Sequence, residues 1–140
     1  TPDEEIELLG QSDTVAVSLP ATPFGLAHHQ YTPAQAILEA GGILALASDC
    51  NPGTAWNESM AFIVALACRY MHITPAQALV AATLNAAHAV GLGHRVGSLG
   101  QGRDADILIL DLPDVRHLGY RFGSNPVKHV IKTGKVVVSR

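Results

Sequence analysis

The sequence predicts an α/β fold: the C-terminal portion of a (β/α)8 barrel, its last two βα units plus extra helices, followed by part of a small β-sandwich. Three observations predict it. Two short apolar runs, Thr14 to Leu19 and Ile43 to Ala47, alternate with segments that open on helix-start signals. That helix, strand, helix, strand, helix rhythm is the one a parallel βα array produces. The second run ends abruptly in an acid followed by turn residues, Asp49-Cys50-Asn51-Pro52-Gly53-Thr54, as a strand buried on both faces does where it leaves a barrel at its C-terminal end. From Val96 onward, Gly-rich turns and β-branched runs replace the helical pattern. Residues 1–95 are therefore assigned to the barrel and 96–140 to the sandwich.

Thr-Pro followed by Glu or Gln recurs at Thr1 to Glu4, Thr32 to Gln35 and Thr74 to Gln77. Each reads as an N-cap Thr, a Pro at the first helical position and a capping-box partner. The first helix runs to about Leu9 and stops at Gly10. The second turns Ala36, Ile37 and Ala40 inward and stops at Gly41-Gly42. The third extends through Leu79 and Ala82, breaks before Asn85 to Val90, and ends at Gly91. Ser59 to Tyr70 is apolar almost all round, which predicts a helix sandwiched between layers. Beyond Val96, Gly97 to Gly102 is turn-rich, Asp106 to Asp111 encloses the strand Ile-Leu-Ile-Leu, and Val127 to Lys132 faces Lys135 to Val138 across Thr133-Gly134, a loop of hairpin length. These few strands cannot form a two-layer sandwich alone.

Composition fits a piece of a larger core. In 140 residues, 48% are hydrophobic and 15% charged, an apolar balance unusual for a small free-standing domain. A net charge of −3, with nine scattered Lys and Arg, argues against nucleic acid. Cys50 and Cys68 form no CxxC pair and no metal-type spacing, so both are expected to be reduced, buried thiols of a cytosolic protein. The acidic opening Thr-Pro-Asp-Glu-Glu lacks the apolar stretch of a signal peptide, and Met60 to Cys68 is too short to span a bilayer. A soluble, cytoplasmic protein with no membrane partner is expected.

Asp49, leaving the end of a buried strand, is placed to bind a metal or move a proton, with Asn51 to Thr54 lining a pocket. Asp, Asn, Pro and Gly in close succession are also ordinary turn punctuation, and the segment alone leaves both readings open. Three longer stretches add a resemblance. ALASDCNPGTAWNESMAFIVALACRYMHITPAQALVAATLNAAHAVGL and RHLGYRFGSNPVKHVIKTGKVV closely resemble the C-terminal part of the imidazolonepropionases, a family of metal-dependent amidohydrolases. VGSLGQGRDADILILD resembles amidohydrolases at large. The likeness covers nearly the whole chain and is clearest from Ile43.

The resemblance implies a hydrolase of histidine degradation that opens the ring of a small molecule, 4-imidazolone-5-propanoate, to N-formimino-L-glutamate. It implies that Asp49 binds a single catalytic metal, zinc or iron, and moves the proton of its water. Asn51 and Gly53 contact substrate or product, and Thr54 contacts substrate. The chemistry is coherent: a metal acidifies water towards neutral pH, and a carboxylate beside it can take that proton and deliver it to the leaving nitrogen.

The family's other ligands, a His-x-His pair and a further His, have no counterpart here. His28-His29 are adjacent and read as a solvated loop; His72, His88, His94, His117 and His129 are isolated and read as surface or capping residues. A catalytic zinc takes three protein ligands plus water, and this chain offers one. The expectation is the last part of an enzyme, inactive by itself, with its remaining ligands elsewhere. Arg121, a tempting carboxylate clamp, is given a structural role because it falls in the sandwich. Homodimerisation is compatible with the family, although no feature here specifies it. Two alternatives stand beside this reading: another amidohydrolase, such as a deaminase or a dihydroorotase-like enzyme, and a folded fragment that binds no metal. The DCNPGT loop and the YRFG segment discriminate against the first, and the ligand count favours the second for the chain taken alone.

Overall fold

The computed structural model describes residues 1–140. Two strands, β1 (Val15–Ser18) and β2 (Ile43–Leu46), pair in parallel with Val15 opposite Ile43 and Ser18 opposite Leu46. The pairing extends one step further, Ala47 N–H donating to the Ser18 carbonyl at 3.1 Å. Leu44, Ala45 and Leu46 are buried in succession, which a strand achieves only when both its faces are covered. Helices α5 (Pro75–Ala82) and α6 (Leu84–Ala89) lie against β2, and Asn85 of α6 donates its side-chain amide to the Leu44 carbonyl at 2.8 Å.

Helix α4 (Met60–Tyr70) opens on Ser59, whose hydroxyl accepts from Phe62 N–H at 3.2 Å. Its five consecutive residues Ile63 to Ala67 are buried, more than one full turn, so it is covered all round as its composition predicts. The break expected near Asn85 falls at Thr83, at φ −125° and ψ −81°, and separates α5 from α6.

The repeated Thr-Pro device forms a capping box only once. At Thr74 the hydroxyl accepts from Gln77 N–H and the Gln77 side chain accepts from Thr74 N–H. Helix α3 (Ala34–Glu39) has no side-chain cap: the Thr32 hydroxyl instead shares a 2.7 Å bond with the buried Ser18 hydroxyl, and Gln35 reaches forward to Glu39. Helix α1 (Asp3–Gly10) also lacks one. A short helix that the sequence pattern did not announce, α2 (Ala21–Gly25), follows β1.

The C-terminal sheet has the order β3 (Ile107–Leu110), β4 (Val127–Lys132), β5 (Lys135–Ser139), all antiparallel. Thr133 and Gly134 turn the hairpin at φ 47° and 78°, the two positive angles of a type I′ turn. Asp106 locks this turn by accepting from Thr133 N–H at 2.9 Å and pairing with Lys132, whose ammonium holds the Asp106 carboxyl below its ordinary range. Arg103 donates to the carbonyls of Gly93 and Val96, and Asp104 pairs with Arg95 at 2.7 Å. The Arg-Asp-Ala-Asp stretch is thus a joint between the helical part and the sheet. A 3-10 turn at Val115–Gly119 lies against α4, where Arg69 donates to the Gly119 carbonyl and its guanidinium sits 4.7 Å over the Phe122 ring.

Only 24 of 140 residues are buried, and the accessible surface is 8625 Å², against about 6,900 Å² from the general scaling for a folded monomer of this mass. Every residue of β5 is exposed, as are Leu108 and Ile109 of β3 and Val17 of β1. Open strand edges and apolar patches of this kind recruit other chains. The isolated chain should therefore self-associate at micromolar concentration. Sedimentation velocity tests this, and a stable monomer would contradict it. Removing the one intact capping box by Thr74→Ala should cost about 1 kcal/mol, read by chemical denaturation of the longer protein that contains this segment.

Candidate functional site

Both parallel strands leave the sheet on the same side, and the residues that follow them meet. Asp49 lies three residues beyond β2, at φ 46°. Asp and Asn tolerate this left-handed region better than other side-chain-bearing residues. Its Oδ2 accepts a hydrogen bond from the Thr22 hydroxyl at 3.0 Å. Thr22 belongs to α2, directly after β1.

The loop after Asp49 is organised by one side chain. Asn51 Oδ1 accepts from Gly53 N–H at 2.9 Å, Thr54 N–H at 2.9 Å and the Thr54 hydroxyl at 3.2 Å. Its amide group donates to the Asp49 carbonyl, and its backbone N–H donates to the Ala55 carbonyl at 3.0 Å. An Asn side chain that bonds its own following backbone replaces a turn's main-chain bonds. One amide proton of Asn51 and the lone pairs of the Thr54 hydroxyl remain for an outside partner. Buried Ala55 anchors the far end.

Helix α2 supports the loop from the other side. Pro20 and Ala21 are buried, and Phe24 meets Phe62 of α4 edge-on at 5.3 Å between ring centres. Gly25 lies so close to Thr54 that a Cβ there would overlap the Thr54 carbonyl oxygen.

The structure brings Asp49, Asn51, Gly53 and Thr54 into one loop, with Asp49 and Gly53 exposed and Asn51 and Thr54 half-buried. Sequence reading missed Thr22, and it missed that Asn51 builds the loop. The parallel pairing was the available signal for Thr22, since it puts residues after the first strand beside those after the second. Other expectations are corrected. Cys50 is exposed rather than buried, because it sits in the turn beyond the strand, whereas Cys68 is half-buried, with its thiol pushed up by burial. His28, His29, His72, His88 and His94 are exposed as expected, but His117 and His129 are half-buried. His117, within the 3-10 turn, has its Nδ1 enclosed without a hydrogen-bond partner. Arg121 is exposed and its side chain forms no hydrogen bond; Arg69 ties the YRFG segment down instead.

No group of three or more His, Cys, Asp or Glu side chains could hold a metal ion. Asp49 fits such a centre as one donor: its carboxylate is exposed on the strand-exit side and only Oδ2 is engaged. A complete catalytic site requires further ligands that these residues do not supply. Two hollows, of about 300 and 370 Å³, lie elsewhere, by His117 and Tyr120 and by Tyr31 and Tyr70. No helix is long and apolar enough to cross a membrane.

Comparison with known proteins adds three findings. The amidohydrolase family pattern matches residues 1–137. The imidazolonepropionase of Herpetosiphon aurantiacus is 59% identical over 137 residues, covering 98% of this chain and 32% of that protein. The imidazolonepropionase of Geobacillus kaustophilus is 43% identical over 98% of this chain and 32% of its own length. The chain thus spans about a third of the length of these curated relatives. Among solved structures, an adenosine deaminase from Xanthomonas campestris with bound zinc superposes with a TM-score of 0.86 at 26% identity, over 99% of this chain and 35% of that one. A mutant atrazine chlorohydrolase from Arthrobacter aurescens complexed with zinc and atraton gives 0.85 at 21% identity, over 99% and 34%, a likeness of fold.

Two measurements follow from the site geometry. A thiol-alkylating reagent should label Cys50 well before Cys68, since Cys50 is exposed while Cys68 is half-buried with its thiol pushed up by burial; peptide mapping by mass spectrometry reads the order. Asn51→Ala removes an acceptor of three bonds and should cost the longer protein about 1–3 kcal/mol, whereas Asn51→Asp keeps the acceptor and should cost less. Denaturant unfolding of both variants decides between them.

Proposed function

The chain belongs to the amidohydrolase family, and from that premise we propose that it is the C-terminal part of an imidazolonepropionase, which hydrolyses 4-imidazolone-5-propanoate to N-formimino-L-glutamate in histidine degradation. The observation that carries this reading is the 59% identity to a protein of that name over 98% of the chain. The deaminase likeness rests on 26% identity and favours the shared fold more than a shared substrate. On this reading residues 1–95 are the closing part of the barrel, its last two βα units plus extra helices. Residues 96–140 are the C-terminal part of the composite β-sandwich. The exposed edge of β1 and the open faces of β3 and β5 support that division, because they are where the remaining chain would pack. The reading carries with it a cytoplasmic enzyme that acts on a small soluble metabolite.

Asp49 would hold one metal ion, zinc or iron, together with ligands from the rest of the longer chain. When bound, the metal supplies the acidity that makes water a nucleophile near neutral pH. The protein's part is proton traffic and orientation. The free Oδ1 of Asp49 takes a proton from the attacking water as the new C–O bond forms at the ring carbonyl. It returns that proton to the ring nitrogen as the C–N bond breaks, leaving a carboxylate and a formimino group. One carboxylate can serve both transfers because it is a base before it takes the proton and an acid once it carries it. Asn51 offers its remaining amide proton and Thr54 the lone pairs of its hydroxyl to the substrate, and the side-chain-free Gly53 allows close approach.

The test uses the full-length enzyme with Asp49→Asn, a change that keeps a residue tolerant of φ 46° and so spares the backbone. Turnover, followed by mass-spectrometric detection of N-formimino-L-glutamate, should fall at least about 100-fold, equivalent to about 2.7 kcal/mol, with an unchanged melting temperature. Retention of more than about a tenth of the activity would reduce Asp49 to a turn residue. The 140-residue chain alone should show no turnover and no equimolar metal by elemental analysis.

A further inference from the structure

We propose that Thr22 is a positioning residue for Asp49: its hydroxyl fixes Oδ2 of the carboxylate, so that Oδ1 alone is presented to metal and water. The inference rests on the functional reading above and adds a residue to it. An exposed Asp carboxylate turns about a broad, weakly restrained final torsion, and its two oxygens are interchangeable unless one is held. Here one is held. The Thr22 hydroxyl stands 3.0 Å from Oδ2, and it must be the donor, because an ionised carboxylate only accepts. Oδ1 makes no hydrogen bond within the chain.

The donor is itself immobile, which a positioning residue has to be. Thr is stiff about its first side-chain torsion, and Thr22 N–H is tied to the Leu19 carbonyl at 3.1 Å. Helix α2 is wedged by buried Pro20 and Ala21, by Phe24 against Phe62, and by Gly25 against the Thr54 carbonyl. The same five-residue helix therefore touches the acid at one end of the loop and the threonine at the other. It sets the distance between the proton-transfer group and the wall that would face the substrate.

The experiment compares Thr22→Val, which keeps the shape and loses the donor, with Thr22→Ser, which keeps the donor and loses the methyl, in the full-length holoenzyme. Zinc affinity of the resting enzyme is read by competition with a chromophoric chelator, alongside kcat and KM. Thr22→Val should weaken zinc binding and lower kcat, each by about tenfold, with KM changed by less than about twofold. Thr22→Ser should stay within about threefold of the parent in both. If Thr22→Val does not fold, Thr22→Ala against Thr22→Ser gives the same contrast. Parental zinc affinity and kcat in Thr22→Val would overturn the inference, as would a Thr22→Ser enzyme as impaired as the valine variant. Asp49→Asn in parallel separates the causes: a fully active Asp49→Asn enzyme sinks the functional reading and this inference together. A disabled Asp49→Asn beside an unaffected Thr22→Val sinks this inference alone.

Discussion

Parallel pairing of β1 with β2 is the constraint on which the candidate site depends. In a parallel pair both chains leave on the same side, and in this register Ser18 and Leu46 end level with one another. The chain after each strand must then turn within a few residues of the other. After β1 it turns through Leu19 and Pro20 into α2; after β2 it turns through Ser48 into the left-handed Asp49. Thr22 and Asp49, 27 residues apart in sequence, meet because of that geometry. An antiparallel pairing of the same two segments would have sent their exits to opposite ends.

The interior that holds the pair is built mainly from small residues. Ala21, Ala34, Ala45, Ala55, Ala65, Ala67, Ala78 and Ala81 are buried around a few large side chains, chiefly Ile37, Leu44, Leu46 and Ile63. Alanine lets α5 and α6 approach β2, and α4 approach α5, closely, and tight packing of this kind leaves little room for rearrangement. The C-terminal sheet is different. It buries little, and polar locks connect it: Arg103 on two carbonyls, Asp106 on the hairpin turn, Arg69 on Gly119. Locks of this sort lie at or near the surface and are individually weak, so they fix direction rather than supply stability.

Much of this was legible in the sequence where a pattern is local. The apolar runs gave β1 and β2, the all-round apolar composition gave α4, and Thr133-Gly134 gave the hairpin. What a local pattern cannot carry is competition from elsewhere in the fold. The three Thr-Pro devices look alike, yet Thr32 is drawn away by Ser18, 14 residues earlier in the chain, and only Thr74 closes a box. Helix α2 had no periodicity to detect in five residues holding Pro23 and ending in Gly25. Asn51 was read for what it could offer a substrate. Its larger commitment, three donors on one oxygen, arises only once the loop has folded around it. Cys50 was expected to be buried as free thiols usually are, although it sits in the exposed turn beyond the strand.

Gly25 and the Thr54 carbonyl share a space that admits no side chain. Variation in what this loop recognises is therefore confined to one flank. Cys50 is exposed in the turn and is the position freest to change, whereas a Cβ at position 53 would come within 3.3 Å of Asn51 Oδ1. Any residue larger than glycine at position 25 would instead push Thr54 away from the carboxylate side and alter the loop's shape before it altered its chemistry. A lineage, or a designer, wanting a new substrate from this framework would find the turn's exposed cysteine open to substitution and the brace behind it closed.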